Sequence, residues 1–294
     1  MVYSTIDIRC RQQTVKNYEK EAMLMIKMIF SDIDGTFLCD DRHVSPRTTA
    51  TVKEAIASGV RFALVSARMP EAIYPLTRSI GLEIPLISYS GAYVLDEQGT
   101  PLASVTMEAA PTRRLLQGLA TDTSLTLNYY AGHHWYVTDA SQPRVQMEIE
   151  ITGAHPQVLP QGFAGRLDAG ELPNKILIMA EPAACERLEH ELSDAYPMFH
   201  VVRSAPFLLE IMDRTVSKAT GLAVLLDHYG LTRQEALSFG DNYNDLEMLA
   251  YTGISVAMGN APDAIKKAAT HQTAPNTADG LARFLEENRE LWQK

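Results

Sequence analysis

The feature of this sequence that most constrains its fold is a mostly apolar segment, Met28–Ser31, that runs directly into Asp32 and Asp34. A short apolar run without alternation predicts a strand buried on both faces, as in a parallel sheet. Because side chains alternate along a strand, Asp32 and Asp34 should point to the same side, and Gly35 should let the chain turn away at once. The alternative is a strand that ends in a solvated acidic turn, and the rest of the chain bears on that choice.

Four other short apolar segments predict further strands of the same sheet. Helix signals lie between them: Ser45-Pro46 begins a helix that Gly59 ends, and Pro70 begins another that ends before Gly81. This alternation predicts an α/β fold whose core is a doubly wound, mostly parallel sheet of the Rossmann-like kind. The additional predicted strands are Val60–Val65, Leu86–Tyr89, Leu237–Gly240 and Ile254–Ala257.

Polar and charged residues follow these strands at their carboxyl ends. Ser66 follows the second strand, and Asp241 and Asn244 follow the fourth. Lys218 begins a predicted helix that carries leucines on one stripe. Residues just beyond the carboxyl ends of parallel strands gather in one crevice, so we expect these side chains to meet the two aspartates of the first strand there.

A long insertion separates the third predicted strand from the helix at Lys218. This block contains predicted strands and helices of its own, which indicates an inserted α+β cap domain. We therefore predict a core domain at residues 25–107 and 215–294 and a cap domain at 108–214, joined by short crossings near Glu108 and Arg214. The predicted cap strands are Leu125–Tyr130, His134–Thr138, Lys175–Met179 and Phe207–Met212, and the predicted cap helices are Pro111–Leu119 and Pro182–Leu192.

Four separated motifs occur in a recognisable order, and together they resemble the haloacid dehalogenase superfamily of phosphatases. Their spacing is similar to that of the Cof-type subfamily, which has a type IIB cap, and the resemblance covers residues 25–290. Two positions depart from the usual pattern: Ala67 stands where glycine is usual, and Ser90 stands where asparagine is usual. Ala67 is tolerable if the position needs no positive φ, whereas Ser90 puts in question any contact of an asparagine side chain. The motifs are Asp32-Ile33-Asp34-Gly35-Thr36, Ser66, Lys218, and Gly240-Asp241-Asn242 with Asn244 and Asp245.

The resemblance implies a two-step phosphatase reaction. Asp32 is the nucleophile that forms an aspartyl-phosphate, and Asp34 protonates the leaving alcohol and then activates the hydrolytic water. The implied Mg²⁺ ligands are the Asp32 side chain, the Asp34 backbone carbonyl and the Asp241 side chain. The implied phosphate-binding residues are Ser66, Lys218 and Asn244.

Charge repulsion explains why such a site needs a cation. A carboxylate that attacks a phosphate dianion meets like charge, and each pair of unit charges 4 Å apart costs about 4 kcal/mol at an effective dielectric constant of ~20. A divalent ion with oxygen ligands offsets this repulsion, and Mg²⁺ typically binds through a few carboxylates together with the phosphate.

Three further residues near these motifs are candidates for a role in the site, and two of them have two possible interpretations. Thr36 and Asp245 resemble residues that fix Asp34 and the metal ligands. Asp245 is also suited to capping the following helix, because acidic residues favour helix starts. Arg68 either binds substrate or pairs with a surface acid.

Three function classes agree with these motifs. The first is a Mg²⁺-dependent phosphatase of a small phosphorylated metabolite, such as a sugar phosphate or a phosphorylated cofactor precursor. The second is a phosphomutase of the phosphomannomutase type, and the third is a non-catalytic sensor of phosphorylated ligands. A sensor does not need the second carboxylate, Asp34, which makes this class less favoured. Dehalogenation is disfavoured for the same reason, because Asp34 has no role in displacing a halogen from carbon. Release of inorganic phosphate separates the first class from the others.

The composition excludes some partners. A formal net charge of −10 argues against nucleic acid and against an anionic membrane, because neither attracts a broadly acidic surface. The widely spaced Cys10, Cys39 and Cys185 indicate free thiols in a reducing, cytoplasmic environment. Residues 1–24 lack apolar periodicity, and we interpret them as an N-terminal extension that is disordered or a misannotated leader.

Substrate choice and oligomeric state stay open at this level. In the subfamily that the chain resembles, the cap covers the crevice and sets substrate choice. Several polar or aromatic residues of the predicted cap are candidates, although each is equally suited to the cap surface or the cap core. The candidates are His133, His134, Trp135, Arg144, Glu148, Lys175 and Glu210.

Overall fold

The computed structural model describes residues 25–293. The hypothesis about residues 1–24, and the prediction of a free thiol at Cys10, lie outside this range. Within it, no helix combines the length and the apolar character that crossing a membrane requires.

Two sheets and their helices make up the described part of the chain. The strands are β1 Met28–Asp32, β2 Arg61–Val65, β3 Leu86–Ser88, β4 Tyr93–Leu95, β5 Pro101–Ser104, β6 Thr126–Ala131, β7 His134–Val137, β8 Gln157–Val158, β9 Lys175–Met179, β10 Phe199–Ala205, β11 Leu208–Asp213, β12 Ala236–Gly240, β13 Ile254–Ala257 and β14 His271–Gln272. The α-helices are α1 Pro46–Ala57, α2 Pro70–Ser79, α3 Ala109–Leu119, α4 Pro143–Thr152, α5 Ala164–Asp168, α6 Pro182–Ala195, α7 Lys218–His228, α8 Leu246–Tyr251, α9 Asp263–Ala268 and α10 Gly280–Glu287.

The first sheet has eight strands in the order β14-β13-β12-β1-β2-β3-β4-β5. The strands from β14 to β3 are parallel, and β4 and β5 extend the sheet as antiparallel strands. After β1 the chain builds one half of the sheet, and after the second sheet it returns to build the other half from β12 outwards. The carboxyl end of β1 is therefore the topological switch point, where doubly wound sheets form their ligand-binding crevice.

Strand β1 is buried on both faces, as its unbroken apolar sequence predicts. Ile29 packs into a cluster with Val52 of α1 and Phe284 of α10. Met28 and Phe30 point to the opposite face, into a cluster with the leucines of α7. Helices thus cover both faces of the sheet, and the predicted fold class is confirmed.

The second sheet has six strands in the order β10-β11-β9-β6-β7-β8, and most of its pairings are antiparallel. All of its strands lie between residues 126 and 213, inside the segment that we predicted as the insertion. Short segments, 105–108 and 214–217, connect it to the first sheet. The domain limits themselves remain a prediction.

Several elements differ from the prediction. The third strand ends at Ser88, because Tyr89 and Ser90 adopt positive φ values of 49° and 54° that an extended strand does not allow. The segment after it contains β4, which was not predicted. The second sheet also gains β8 and β10, which were not predicted. Strand β10 has half-exposed residues at most of its positions, so its sequence lacks the apolar signature of a core strand.

Candidate active site

The carboxyl end of β1 carries Asp32, which is only 7% exposed to solvent. A tight turn follows at once, and Gly35 adopts a φ of +80° within it. A Cβ atom at this glycine would lie 2.4 Å from Asp241 Oδ2, so any larger residue would collide with that carboxylate. Gly35 therefore lets the β1 loop and the β12 loop approach each other closely.

Lys218 lies between two buried carboxylates. Lys218 is the first residue of α7, and its Nζ lies 2.5 Å from Asp32 Oδ1 and 2.5 Å from Asp245 Oδ1. The Lys218 side chain is 1% exposed, so these interactions take place away from water. The helix start is fixed by a capping box in which Ser217 and Thr220 satisfy each other's backbone amides.

Asp245 organises the loop after β12. Its Oδ2 accepts hydrogen bonds from the backbone amides of Asp241 and Asn242, both at 2.9 Å. These bonds are part of a capping box at the start of the 3₁₀ turn Tyr243–Asp245. The predicted capping of the following helix is wrong, because the Asp245 side chain makes no capping hydrogen bond to α8. Its other oxygen accepts a hydrogen bond from Lys218, so this fully buried side chain contacts both the loop that carries Asp241 and the lysine.

Asp241 is held at the same crevice by two donors. Thr36 Oγ1 donates to Asp241 Oδ1 at 2.8 Å, and Asn260 Nδ2 lies 3.3 Å from Asp241 Oδ2. Asn260 also donates to the Gly35 carbonyl at 2.9 Å, so it ties the β1 turn to the β12 loop. Sequence reasoning missed Asn260. The available signal was its position just beyond the carboxyl end of β13, the same position relative to a strand that singled out the other site residues.

The crowded carboxylates have raised proton affinities. Burial raises the pKa of Asp32 well above its usual range, and this outweighs the opposite effect of Lys218. Burial likewise raises the pKa of Asp241 to about 6. Burial opposes the charge on Lys218, but the carboxylates of Asp245 and Asp32 outweigh this effect and raise the Lys218 pKa. One lysine thus faces three acids, and the site favours an additional cation.

The donor set of these acids fits a hard divalent cation. Asp32, Asp241 and Asp245 each offer a carboxylate oxygen, and these oxygens lie within 4.8 Å of one another. Oxygen ligands of this kind are typical of Mg²⁺ sites. Asp245 is fully buried and already binds Lys218 and two backbone amides, whereas Asp241 is partly exposed and Asp32 has one oxygen without a hydrogen bond among the described residues, so Asp32 and Asp241 are the better placed side-chain ligands. The predicted set, with the Asp34 carbonyl as third ligand, remains a proposal.

Asp34 faces solvent and pairs with Arg68. Its side chain is 60% exposed, and the Arg68 guanidinium binds both of its carboxylate oxygens, with Nε 2.9 Å from Oδ2. This favours the second of the two interpretations of Arg68, in which it pairs with an acid. That acid is the proposed proton donor itself, so Arg68 also fixes the direction of the Asp34 carboxylate.

The loop after β2 lies beside this pair. Ser66 is buried, and its Oγ accepts the Arg68 backbone amide at 3.2 Å. Ala67 has no positive φ, which explains why the usual glycine is not needed there. Ser90 does have a positive φ, of 54°, a conformation in which asparagine is more common than serine.

A cleft between the two sheets opens onto Lys218. Its volume is about 370 Å³, and it is lined by residues of β10 and β11 of the second sheet and by loop and helix residues of the core. Asn244 is exposed on its wall. Among the seven candidate residues of the cap, Glu210 lies on this wall, whereas Trp135 is buried in the apolar core. A second cavity of about 350 Å³ lies within the cap, between α3 and α5, and is not lined by any of the proposed catalytic residues.

The remaining candidate residues of the cap contact other residues of the protein. His133 contacts Glu71 of α2 at 2.8 Å, and His134 contacts Glu171 at 2.8 Å. Arg144 pairs with the exposed Glu181. Burial raises the pKa of Glu148, and Lys175 partly offsets this effect.

Comparisons with known proteins agree with this geometry. A family model described as haloacid dehalogenase-like hydrolase matches residues 29–285. A Haemophilus influenzae protein named "Putative phosphatase" is 34% identical over 264 residues, which are 90% of this chain and 98% of that protein. The 5-amino-6-(5-phospho-D-ribitylamino)uracil phosphatase YitU of Bacillus subtilis is 30% identical over 88% of this chain and 96% of its own length. A solved haloacid dehalogenase-like hydrolase from Bacteroides thetaiotaomicron superimposes with a TM-score of 0.80 at 28% identity, over 89% of this chain and 99% of that one. The resemblance to the haloacid dehalogenase superfamily of phosphatases is confirmed.

Proposed function

We propose that this chain, which belongs to the haloacid dehalogenase-like hydrolase family, hydrolyses its phosphate ester through an aspartyl-phosphate on Asp32 with the help of Mg²⁺. The chain is a phosphoric monoester hydrolase. The observation that carries it is the arrangement of Lys218 between Asp32 and Asp245, with Asp241 beside them. This arrangement combines a nucleophile, an adjacent cation and a set of oxygen ligands for a metal ion.

Asp32 attacks the phosphorus because its position is fixed on a rigid strand and beside a buried ammonium group. Lys218 holds one Asp32 oxygen and leaves the other free to form the new bond. The positive charge of Lys218 also offsets part of the repulsion between the carboxylate and the incoming phosphate. Bound Mg²⁺ would supply the remaining positive charge and polarise the phosphate oxygens, with Asp32, Asp241 and the Asp34 carbonyl as its protein ligands.

Asp34 transfers protons because it lies at the edge of the crevice, where the leaving group departs. In the first step it protonates the leaving oxygen, and in the second it accepts a proton from the water that hydrolyses the aspartyl-phosphate. Arg68 orients the carboxylate for both steps. The Ser66 hydroxyl and the Asn244 amide would bind the remaining phosphate oxygens.

The substrate that we propose is a small phosphorylated metabolite, such as a sugar phosphate or a phosphorylated cofactor precursor. The name of the Bacillus subtilis relative gives a phosphorylated ribityl compound, which belongs to this class. A cleft of about 370 Å³ suits a leaving group of this size. A cytoplasmic location is part of the proposal, and the free thiols of Cys39 and Cys185 support it.

A phosphate-release assay with a panel of phosphorylated metabolites tests the proposal. We expect wild-type protein to release inorganic phosphate with Mg²⁺ and to stop when EDTA is added. Asp32→Asn should lower the rate by at least about a thousandfold, because the nucleophile is lost. Asp41→Asn, which makes the same change at an exposed aspartate, should keep the wild-type rate. Near-normal turnover by Asp32→Asn would rule out the covalent route, and phosphoryl return to substrate without free phosphate would indicate a phosphomutase.

A further inference from the structure

The loop Ser66-Ala67-Arg68 has three backbone carbonyls, and each accepts a hydrogen bond. Ser90 N donates to the Ser66 carbonyl at 2.9 Å, and Tyr89 N donates to the Arg68 carbonyl at 3.2 Å. Both donors belong to the core sheet's own neighbouring loop. The Ala67 carbonyl is different, because its donor is the Nζ of Lys175, at 2.7 Å, on the first residue of cap strand β9.

Lys175 is a buried charge at the junction of the two sheets. The Lys175 side chain is 7% exposed, and the side chain of its partner Glu210 is 8% exposed, so both are buried. The Glu210 carboxylate lies 3.4 Å from Nζ, and the ammonium group also lies 5.2 Å from the Tyr130 ring centre and 5.7 Å from that of Tyr89. A buried ammonium group is costly unless its surroundings compensate it, so these contacts define one position for Nζ.

From this geometry we propose that Lys175 is a positioning residue for phosphate binding, which the cap supplies to the core. The inference rests on the proposed function, in which Ser66 and Arg68 serve the phosphate and Asp34. Lys175 touches neither substrate nor metal: it acts by holding the peptide between those two residues. A charged donor makes a stronger hydrogen bond to a carbonyl than a neutral one does, which suits a loop whose middle residue has no other anchor among the described residues.

The bond also couples the cap to the chemistry. Lys175 reaches the Ala67 carbonyl only when β9 lies against the β2 loop, so the loop is complete only when the cap is docked. The Ala67 loop and Glu210 both line the cleft above Lys218, which places this contact on the wall of the proposed substrate site. Glu210 then has the task of directing the lysine, and its carboxylate receives no other hydrogen bond from residues 25–293.

A double-mutant cycle between Lys175 and Ser66 tests the proposal. The readouts are kcat/KM for a phosphate ester and the affinity for inorganic phosphate by calorimetry, both with Mg²⁺. We expect Lys175→Met to weaken phosphate binding and kcat/KM by about tenfold or more, and by less than about threefold when Ser66→Ala is already present. Lys175→Arg keeps a charged donor and should recover part of the loss. Equal losses in both backgrounds would overturn the proposal, because a merely structural lysine gives independent effects.

Two further variants separate loop positioning from other effects. Lys175→Met leaves the Glu210 carboxylate buried without its cation, so the cycle is repeated with Lys175→Met combined with Glu210→Gln, and folding is checked by the melting temperature. His133→Gln alters another contact between the cap and the core, the one to Glu71 of α2, that does not involve the loop. Its effect should multiply with that of Ser66→Ala. If His133→Gln couples to Ser66 as strongly as Lys175 does, the effect belongs to cap docking in general and the proposal fails.

The proposed function can fail separately. If the wild-type protein releases no phosphate from any ester, the hydrolytic proposal is wrong, whereas the calorimetric cycle with inorganic phosphate still decides whether Lys175 acts through the Ser66 loop.

Discussion

Asp34 and Arg68 form an exposed pair at the proposed site of proton transfer. Asp34 has a different task in each of the two chemical steps: it donates a proton in the first and accepts one in the second. The guanidinium fixes the carboxylate but does not bury it, so Asp34 can exchange protons with water between steps. A proton donor matters only if the leaving group needs a proton. The dependence of the rate on the leaving group therefore reports on Asp34 directly.

We predict that Asp34→Asn lowers kcat for an alkyl phosphate by about a hundredfold or more, and far less for p-nitrophenyl phosphate in the first step. The p-nitrophenolate ion can depart without a proton, whereas an alkoxide must be protonated as it departs. Burst kinetics with the aryl ester measure that first step. An equal loss with both esters in that step would contradict the role of Asp34 as the acid.

The raised pKa values of Asp32 and Asp241 predict how Mg²⁺ stabilises the protein as the pH changes. The Asp241 pKa is about 6 in the folded protein against an ordinary value of 3.8. Without metal, the folded state therefore takes up a proton between about pH 6 and pH 4 that the unfolded state does not, and stability gains from this group as the pH falls through that window. Mg²⁺ needs the charged carboxylates, so its effect has the opposite direction.

We expect the increase in melting temperature caused by Mg²⁺ to be large near about pH 7.5 and to shrink towards about pH 5. Asp241→Asn should abolish most of this increase at every pH, and Asp41→Asn should leave it intact. Melting curves by differential scanning fluorimetry across this range provide the measurement. A Mg²⁺ effect that is the same at both pH values would argue against these carboxylates as ligands.

At the scale of elements, the position of Lys218 depends on how closely α7 approaches the loop after β3. Gly91 has a φ of +111°, and a Cβ there would lie 2.0 Å from the Ser217 carbonyl oxygen, directly before Lys218. That distance is far below van der Waals contact, so a side chain at position 91 must displace the start of the helix. Gly59, which ends the segment after α1, also has a positive φ, of +94°, but its Cβ would meet no atom within 4 Å.

We predict that Gly91→Ala destabilises the protein by about 3 kcal/mol or more and lowers kcat strongly, whereas Gly59→Ala costs only about 1 kcal/mol and leaves kcat unchanged. Both variants place a side chain at a positive φ, and only the first adds the collision. Urea unfolding and steady-state kinetics on the two variants measure the difference. Similar losses in the two would show that the approach of α7 is not what positions Lys218.

The elements that carry the motifs were predictable because their signals are local. The apolar run of β1 leads within a few residues to Asp32 and Gly35, and the same holds for β12 and Asp241. Strand β4 has only three residues, which is too short for a periodic signal. Strand β10 has seven residues, but most of them are half-exposed, so its sequence lacks a clear apolar pattern.

Contacts between distant segments were the part that the sequence could not provide. Lys175 and Ala67 are separated by 108 positions, and their hydrogen bond depends on how the second sheet docks on the first. Asn260 is a single amide whose role appears only when the β13 and β1 loops are side by side. The predicted site residues Asp32, Lys218, Asp241 and Asp245 do lie together in the structure, and their chemical roles remain proposals.

At the scale of the whole molecule, one apolar cluster spans both sheets. Tyr89 and Tyr93 of the core belong to the same cluster as Tyr130 and Trp135 of the cap. The Tyr89 and Tyr130 ring centres are 5.8 Å apart, and the Tyr89 hydroxyl donates to the Gly132 carbonyl at 2.8 Å. Shared burial of this kind couples the stability of the two sheets, so we expect the cap and the core to unfold together.

The chain's two tryptophans allow a direct test, because Trp135 lies in the cap and Trp292 follows α10 in the core, each 2% exposed. In Trp292→Phe the fluorescence reports on the cap, and in Trp135→Phe it reports on the core. We expect the urea midpoint by fluorescence to match that by circular dichroism within each variant, since both probes then follow one transition. Adding Tyr130→Ala, which removes a ring from the shared cluster, should separate the midpoints. If the two midpoints already differ in the single tryptophan variants, without Tyr130→Ala, the cluster does not couple the stability of the two sheets. Docking of the cap, on which the Lys175 contact depends, would then be a separate equilibrium.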